Sequence, residues 1–111
     1  MHRLILVTDF IKNNLTADDL SQSTMAEMAG ISKDYFSRIF RNVTGTNFNK
    51  WLNMILLEKA IELLADQDKS ITEIAMLSGF QSISSFNRVF HAEKGMAPGE
   101  YRTMTMPPYL D

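Results

Sequence analysis

The chain states its plan twice. Ala26 and Gly30 recur as Ala75 and Gly79 at an offset of 49, and Phe36, Arg38, Phe40 and Gly45 recur as Phe86, Arg88, Phe90 and Gly95 at an offset of 50. One residue has been inserted in the turn of the second copy. A repeat of this period is one supersecondary unit used twice, and the retained residues say which unit. An alanine in a first helix lets a second helix approach closely, the glycine permits a tight turn, and phenylalanines four apart fix one face of the following helix on a core. Each copy reads as a helix-turn-helix.

Helical periodicity supplies the rest. Leu4, Val7, Thr8 and Ile11 predict a helix over residues 3–13, and Met25, Ala26 and Met28 a short one over 22–29 that Gly30 closes. Ser32 is placed to cap a helix running to about residue 42. Asn47 is an N-cap for the longest helix, over 48–65, where Leu52, Leu56, Leu57, Ala60, Ile61, Leu63 and Leu64 exceed the usual apolar stripe of about 100°. Such a helix is touched from two sides. Ser70-Ile71-Thr72-Glu73 has the form of a capping box opening a helix to residue 78, a further helix covers 82–93, and Pro98 starts a last short one.

The expected fold is therefore all-α, with about seven helices in two helix-turn-helix subdomains joined by a long linker helix. The N-terminal helix and first motif take residues 1–46, the linker 47–66, the second motif and last helix 67–102, and a flexible tail 103–111.

Composition narrows the chemistry. A chain of 111 residues can bury roughly two thirds of its unfolded surface without covalent staples. With no cysteine it has no disulfide, thiolate zinc site or cysteine nucleophile, and its only histidines, His2 and His91, lie too far apart in sequence to suggest a metal cluster. Ser84 near His91 lacks a third group, and no Gly-rich phosphate loop appears, so neither an enzyme nor a cofactor is expected. The start, Met1-His2-Arg3 before an apolar 4–7, is interrupted by Thr8 and Asp9 in a way a signal peptide is not. No apolar run approaches the ~20 residues that cross a bilayer. A cytoplasmic protein with no membrane partner is the expectation.

The formal net charge of −2, from 11 Lys and Arg against 13 Asp and Glu, runs against polyanion binding. Distribution matters more. Acidic residues concentrate at Asp18, Asp19, Glu58, Glu62, Asp66 and Asp68, whereas the second helices of the two motifs carry Lys33, Arg38, Arg41 and Arg88 against Asp34, with Glu93 only at the end of the second.

Over residues 15–102 the chain resembles the DNA-binding region of the AraC/XylS family of bacterial transcription regulators. The second copy carries the more specific signature: Ser70-Ile-Thr-Glu-Ile-Ala75, Gly79-Phe80, Phe86, Arg88, Phe90, Gly95, Pro98 and Tyr101-Arg102. The first follows it through Ala26, Gly30, Ser32, Phe36, Arg38, Phe40 and Gly45. Gln22 stands where the family prefers an aliphatic, Leu56 where it commonly has an arginine, and Ala97 where a threonine usually caps the helix beginning at Pro98. The resemblance implies double-stranded DNA and RNA polymerase as partners, and transcription activation as the outcome. It also implies a separate effector or dimerisation domain, for which this chain has no room.

With Phe36, Ile39 and Phe40 inward, a helical wheel centres the outer face on Asp34, Arg38 and Arg41, flanked by Tyr35, Ser37 and Asn42. Phe86, Val89 and Phe90 likewise leave Ser84, Arg88 and His91 outward, flanked by Ser85 and Asn87. An arginine in the middle of a helix in the major groove can bond guanine through two donors. Base contacts are expected from Asp34, Ser37, Arg38, Ser84, Ser85, Asn87 and Arg88. Phosphate contacts are expected from Lys33, Tyr35, Arg41, Asn42, Asn47, Ser82 and His91. Asp34 either accepts from cytosine N4 or orients Arg38, four residues on. The linker, at roughly 27 Å, sets the spacing of two readers in successive major-groove segments, which repeat every ~34 Å. The competing reading is a helical protein-interaction module with little DNA affinity.

Overall fold

A computed structural model describes residues 2–17 and 19–105 and holds seven helices in them: α1 (His2–Asn13), α2 (Gln22–Met28), α3 (Lys33–Thr44), α4 (Phe48–Leu63), α5 (Ile71–Ser78), α6 (Ile83–Lys94) and α7 (Pro98–Thr105). The chain divides into two compact units, Met1–Ile55 and Leu56–Asp111, and the division falls inside α4. The expected helices all form, with ends shifted by a residue or two. The connector is shorter than expected, 16 residues or roughly 24 Å. Thr103–Thr105, expected to open a flexible tail, instead extend α7, where the Thr103 and Thr105 hydroxyls bond back to the Gly99 and Tyr101 carbonyls; residues 106–111 and Asp18 lie outside the described part.

The first unit is built on Leu4, Val7 and Ile11 of α1, Met25 and Ala26 of α2, Phe36 and Phe40 of α3, Phe48 of α4, and Leu20. Three rings form its centre: Phe48 meets Phe36 and Phe40 edge-on at 5.5 and 5.3 Å between centroids. Met28 is not part of this core. Although it fits the helical spacing, it sits in the last turn of α2 and is half exposed. The second unit buries Leu56, Leu57, Ala60, Leu64, Ile74, Ala75, Phe80, Phe86, Val89 and Phe90.

The repeat extends into the backbone. After α2 the Ile31 N–H bonds the Ala26 carbonyl and the Gly30 N–H that of Glu27; after α5 the Phe80 N–H bonds Ala75 and the Gly79 N–H bonds Met76. Both are Schellman turns, which require a left-handed residue after the helix, and Gly30 (φ 73°) and Gly79 (φ 102°) supply it. The extra residue of the second copy is Gln81, between this turn and the next N-cap.

Helix starts recur too, with local differences. Ser21 and Ser70, 49 apart, cap α2 and α5 through the N–H groups of Thr24 and Glu73. Glu73 completes a capping box by accepting from the Ser70 N–H at 3.1 Å. Thr24 cannot reach back in that way, and Asp19 takes over: it accepts from the Ser21 N–H and from the Thr24 hydroxyl. The hydrogen bonds from Thr24 and then Ser21 hold its carboxyl below the usual carboxylate range. Gln22 occupies the slot of Ile71, and both are half-buried, so the polar residue leaves α2 in place.

Past the second helix of each motif the correspondence continues. Trp51 meets Phe40 edge-on at 5.3 Å, and Tyr101, 50 residues later, meets Phe90 in the same way at 5.4 Å. Thus α7 does for the second unit what the start of α4 does for the first. Arg102 ties it down, donating from Nε to the Leu64 carbonyl (3.2 Å) and from Nη2 to the Asp66 carbonyl (3.0 Å). These carbonyls follow the end of α4, where no helical partner is available to them. Asp66 itself accepts from Lys69 Nζ at 2.6 Å, the main reason its carboxyl is held low.

Ala97 leaves one cap half made. The Glu100 carboxylate accepts from the Ala97 N–H at 3.2 Å, as in a capping box, but an alanine has no oxygen to return the bond. Ala97→Ser is expected to stabilise the second unit by about 1 kcal/mol, measured as a rise in the thermal or denaturant midpoint.

Candidate nucleic-acid interface

In each motif the cap and the buried aromatics together fix which face of the second helix meets water. Ser32 accepts from the Tyr35 N–H at 3.1 Å and starts α3; Phe36 and Phe40 are fully buried, and Gly45 ends the helix in a left-handed conformation. Ser82 accepts from the Ser85 N–H at 3.0 Å and starts α6, with Phe86 and Phe90 fully buried and Gly95 at the end. Two helices of 12 residues are thus held on equivalent rings with equivalent faces outward.

On α3 the outward residues are Lys33, Asp34, Tyr35, Arg38, Arg41 and Asn42, all exposed, with Ser37 half-buried at their edge. Asp34, Ser37, Arg38, Arg41 and Asn42 line one shallow concavity, which brings most of the expected contacts of this copy together. On α6, Ser84, Asn87, Arg88 and His91 are exposed. Ser85 is half-buried and its hydroxyl is hydrogen-bonded to Ser82 Oγ, so both serines serve the helix start. Their side chains are less available to DNA than their position on the wheel implies. Asn47 is exposed and does cap α4, accepting from the Lys50 N–H at 2.8 Å. Lys50, in that same exposed turn, is a further cation beside the start of α4; its signal in the sequence is its place three residues beyond an N-cap, near a helix N-terminus that favours anions.

One local expectation fails. Asp34 does not orient Arg38: the ion pairs among the described residues are Lys59–Glu62 and Lys69–Asp66. Arg38 instead lies over the Tyr35 ring, with its guanidinium carbon 5.7 Å from the centroid. Residues three and four apart are both neighbours on a helix, and here the aromatic face is preferred to the carboxylate.

A family model described as a helix-turn-helix domain matches residues 25–104. The chain belongs to the AraC/XylS family. Among AraC/XylS relatives, the transcriptional activator NphR of Rhodococcus sp. is 34% identical over 105 residues, covering 92% of this chain and 31% of NphR. The DNA-binding domain of AdpA, solved in complex with a target DNA, matches with a TM-score of 0.86 at 29% identity, over 92% of this chain and 91% of that one. The C-terminal domain of AraT, a response regulator from Geobacillus stearothermophilus, matches with a TM-score of 0.88 at 29% identity, over 98% and 91%. The chain spans under a third of the length of the curated AraC/XylS relatives it matches.

Proposed function

We propose that this chain binds double-stranded DNA sequence-specifically, with α3 and α6 entering successive major-groove segments, and that it does so as the DNA-binding part of a bacterial transcription regulator. The observation that carries the reading is the pair Arg38 and Arg88. They stand at the same position of two helices held by the same buried aromatics, and both are exposed. An exposed arginine repeated at the same place on both helices is what two guanine readers would share. AdpA, whose DNA-binding domain was solved on a target DNA, supports DNA as the partner.

In this assignment Arg38 and Arg88 read bases, with Asp34, Ser37, Ser84 and Asn87 beside them. Lys33, Arg41, Asn42, Asn47 and His91 hold the backbone. Ser82 and Ser85 contribute mainly by building the start of α6. No step of bond making is involved: the protein binds rather than catalyses. NphR is an activator, which supports activation, with RNA polymerase as the next partner and the cytoplasm as the place.

Titration of labelled duplexes at several salt concentrations tests this. Binding should prefer particular sequences and weaken with salt, because each phosphate neutralised releases counterions. Lys33→Ala should weaken binding to every sequence alike and make the salt slope shallower by about 1. Binding indifferent to both salt and sequence would leave the protein-interaction module as the better account.

A further inference from the structure

We propose that Tyr35 is a positioning residue for Arg38: its ring holds the guanidinium ready on the outer face of α3, a task the sequence also allows for Asp34. The proposal rests on α3 being a DNA reader and goes beyond it by saying what prepares the reading residue. Tyr35 is fixed at its backbone, where its N–H donates to the Ser32 cap at 3.1 Å. The residue is 47% exposed, and its ring lies under Arg38, whose guanidinium carbon is 5.7 Å from the centroid.

The choice of partner matters to the chemistry. A guanidinium carries five N–H donors in one plane and bonds guanine O6 and N7 with two of them. Pairing with the Asp34 carboxylate would occupy the same donors and have to be broken before reading. Contact with an aromatic face occupies none: the attraction is to the π-cloud, and the edge of the fork stays free. Conformational freedom lost before binding need not be lost during it.

The second copy lacks this arrangement. Ser85 stands where Tyr35 does, and its hydroxyl is engaged with Ser82. Arg88 therefore has no ring three residues before it, and the two readers, alike in position, differ in preparation. Arg38 is the pre-arranged one.

The test uses the full chain and competition between duplexes that differ at the one base pair whose preference Arg38→Ala removes. Tyr35→Phe keeps the ring and should keep the discrimination of the parent. Tyr35→Leu should lose about two- to fivefold of the discrimination at that base pair alone, the size of an exposed cation–π contact, with its salt slope and melting midpoint unchanged. In an Arg38→Ala background Tyr35→Leu should change discrimination no further. Equal loss on all sequences from both Tyr35→Phe and Tyr35→Leu would overturn the proposal in favour of a phosphate contact through the hydroxyl. Loss of discrimination from Asp34→Asn, with none from Tyr35→Leu, would overturn it in favour of the carboxylate. If Arg38→Ala removes no preference anywhere, the reading of α3 itself falls, and this proposal with it.

Discussion

Phe90→Ala is expected to destabilise the second unit by about 3 to 5 kcal/mol, the largest effect of any single substitution considered. Phe90 is fully buried, with its ring 5.7 Å from Phe86 and 5.4 Å edge-on from Tyr101. Truncation removes the surface on which both α6 and α7 rest, and the remaining rings are too rigid to fill the space. A unit of this size has on the order of 5 kcal/mol in hand, so the loss approaches all of it. Circular dichroism should show the helices of this unit melting early. Trp51, the sole tryptophan, packs on Phe40 in the first unit, and its fluorescence reports separately on that half. A parental melting curve by circular dichroism would mean that the core survives without Phe90.

The double variant Arg38→Ala, Arg88→Ala is expected to lose about 2 to 6 kcal/mol of specific binding, the sum of about 1 to 3 from each arginine. The two lie in different compact units and share no partner, which is the condition for additivity. Both side chains are exposed, so the fold should be untouched. Selection of bound sites from random duplex is the decisive measurement: each single variant should flatten preference at one position of the site, and the double variant at both. A selection profile identical to that of the parent would mean that these helices present the wrong face to the groove.

Much of this could be read from the residues, because the features that decide the fold are strongly periodic. Phenylalanines four apart, glycines at left-handed positions and serines before helices each have one physical reading, and the helices appear where those signals stand. What stayed hidden was chemistry disguised by substitution. Phe48 and Pro98 hold the same place in the two copies, as do Trp51 and Tyr101, but unlike side chains conceal the match until their burial is seen. Met28 shows the converse: it obeys the period of α2, yet it stands in the last turn of the helix and is half exposed. At the interface the outward set followed from the wheel, whereas the partner of Arg38 could not, since Tyr35 and Asp34 are both within reach. Ser82 and Ser85 also could not be ranked by a wheel, which sees direction and not which hydroxyl is already engaged.

The division inside α4 has a consequence for how such a protein can be taken apart. Each unit contains four helical segments, yet the described residues hold seven helices, because α4 closes the first unit with Phe48 and Trp51 and opens the second with Leu56, Leu57 and Ala60. Duplicated motifs are often joined by a spacer that a protease or a gene fusion can sever harmlessly. Here no such seam exists: a cut at the boundary leaves both fragments with a broken helix, and a cut on either side leaves one fragment carrying the other's apolar residues into water.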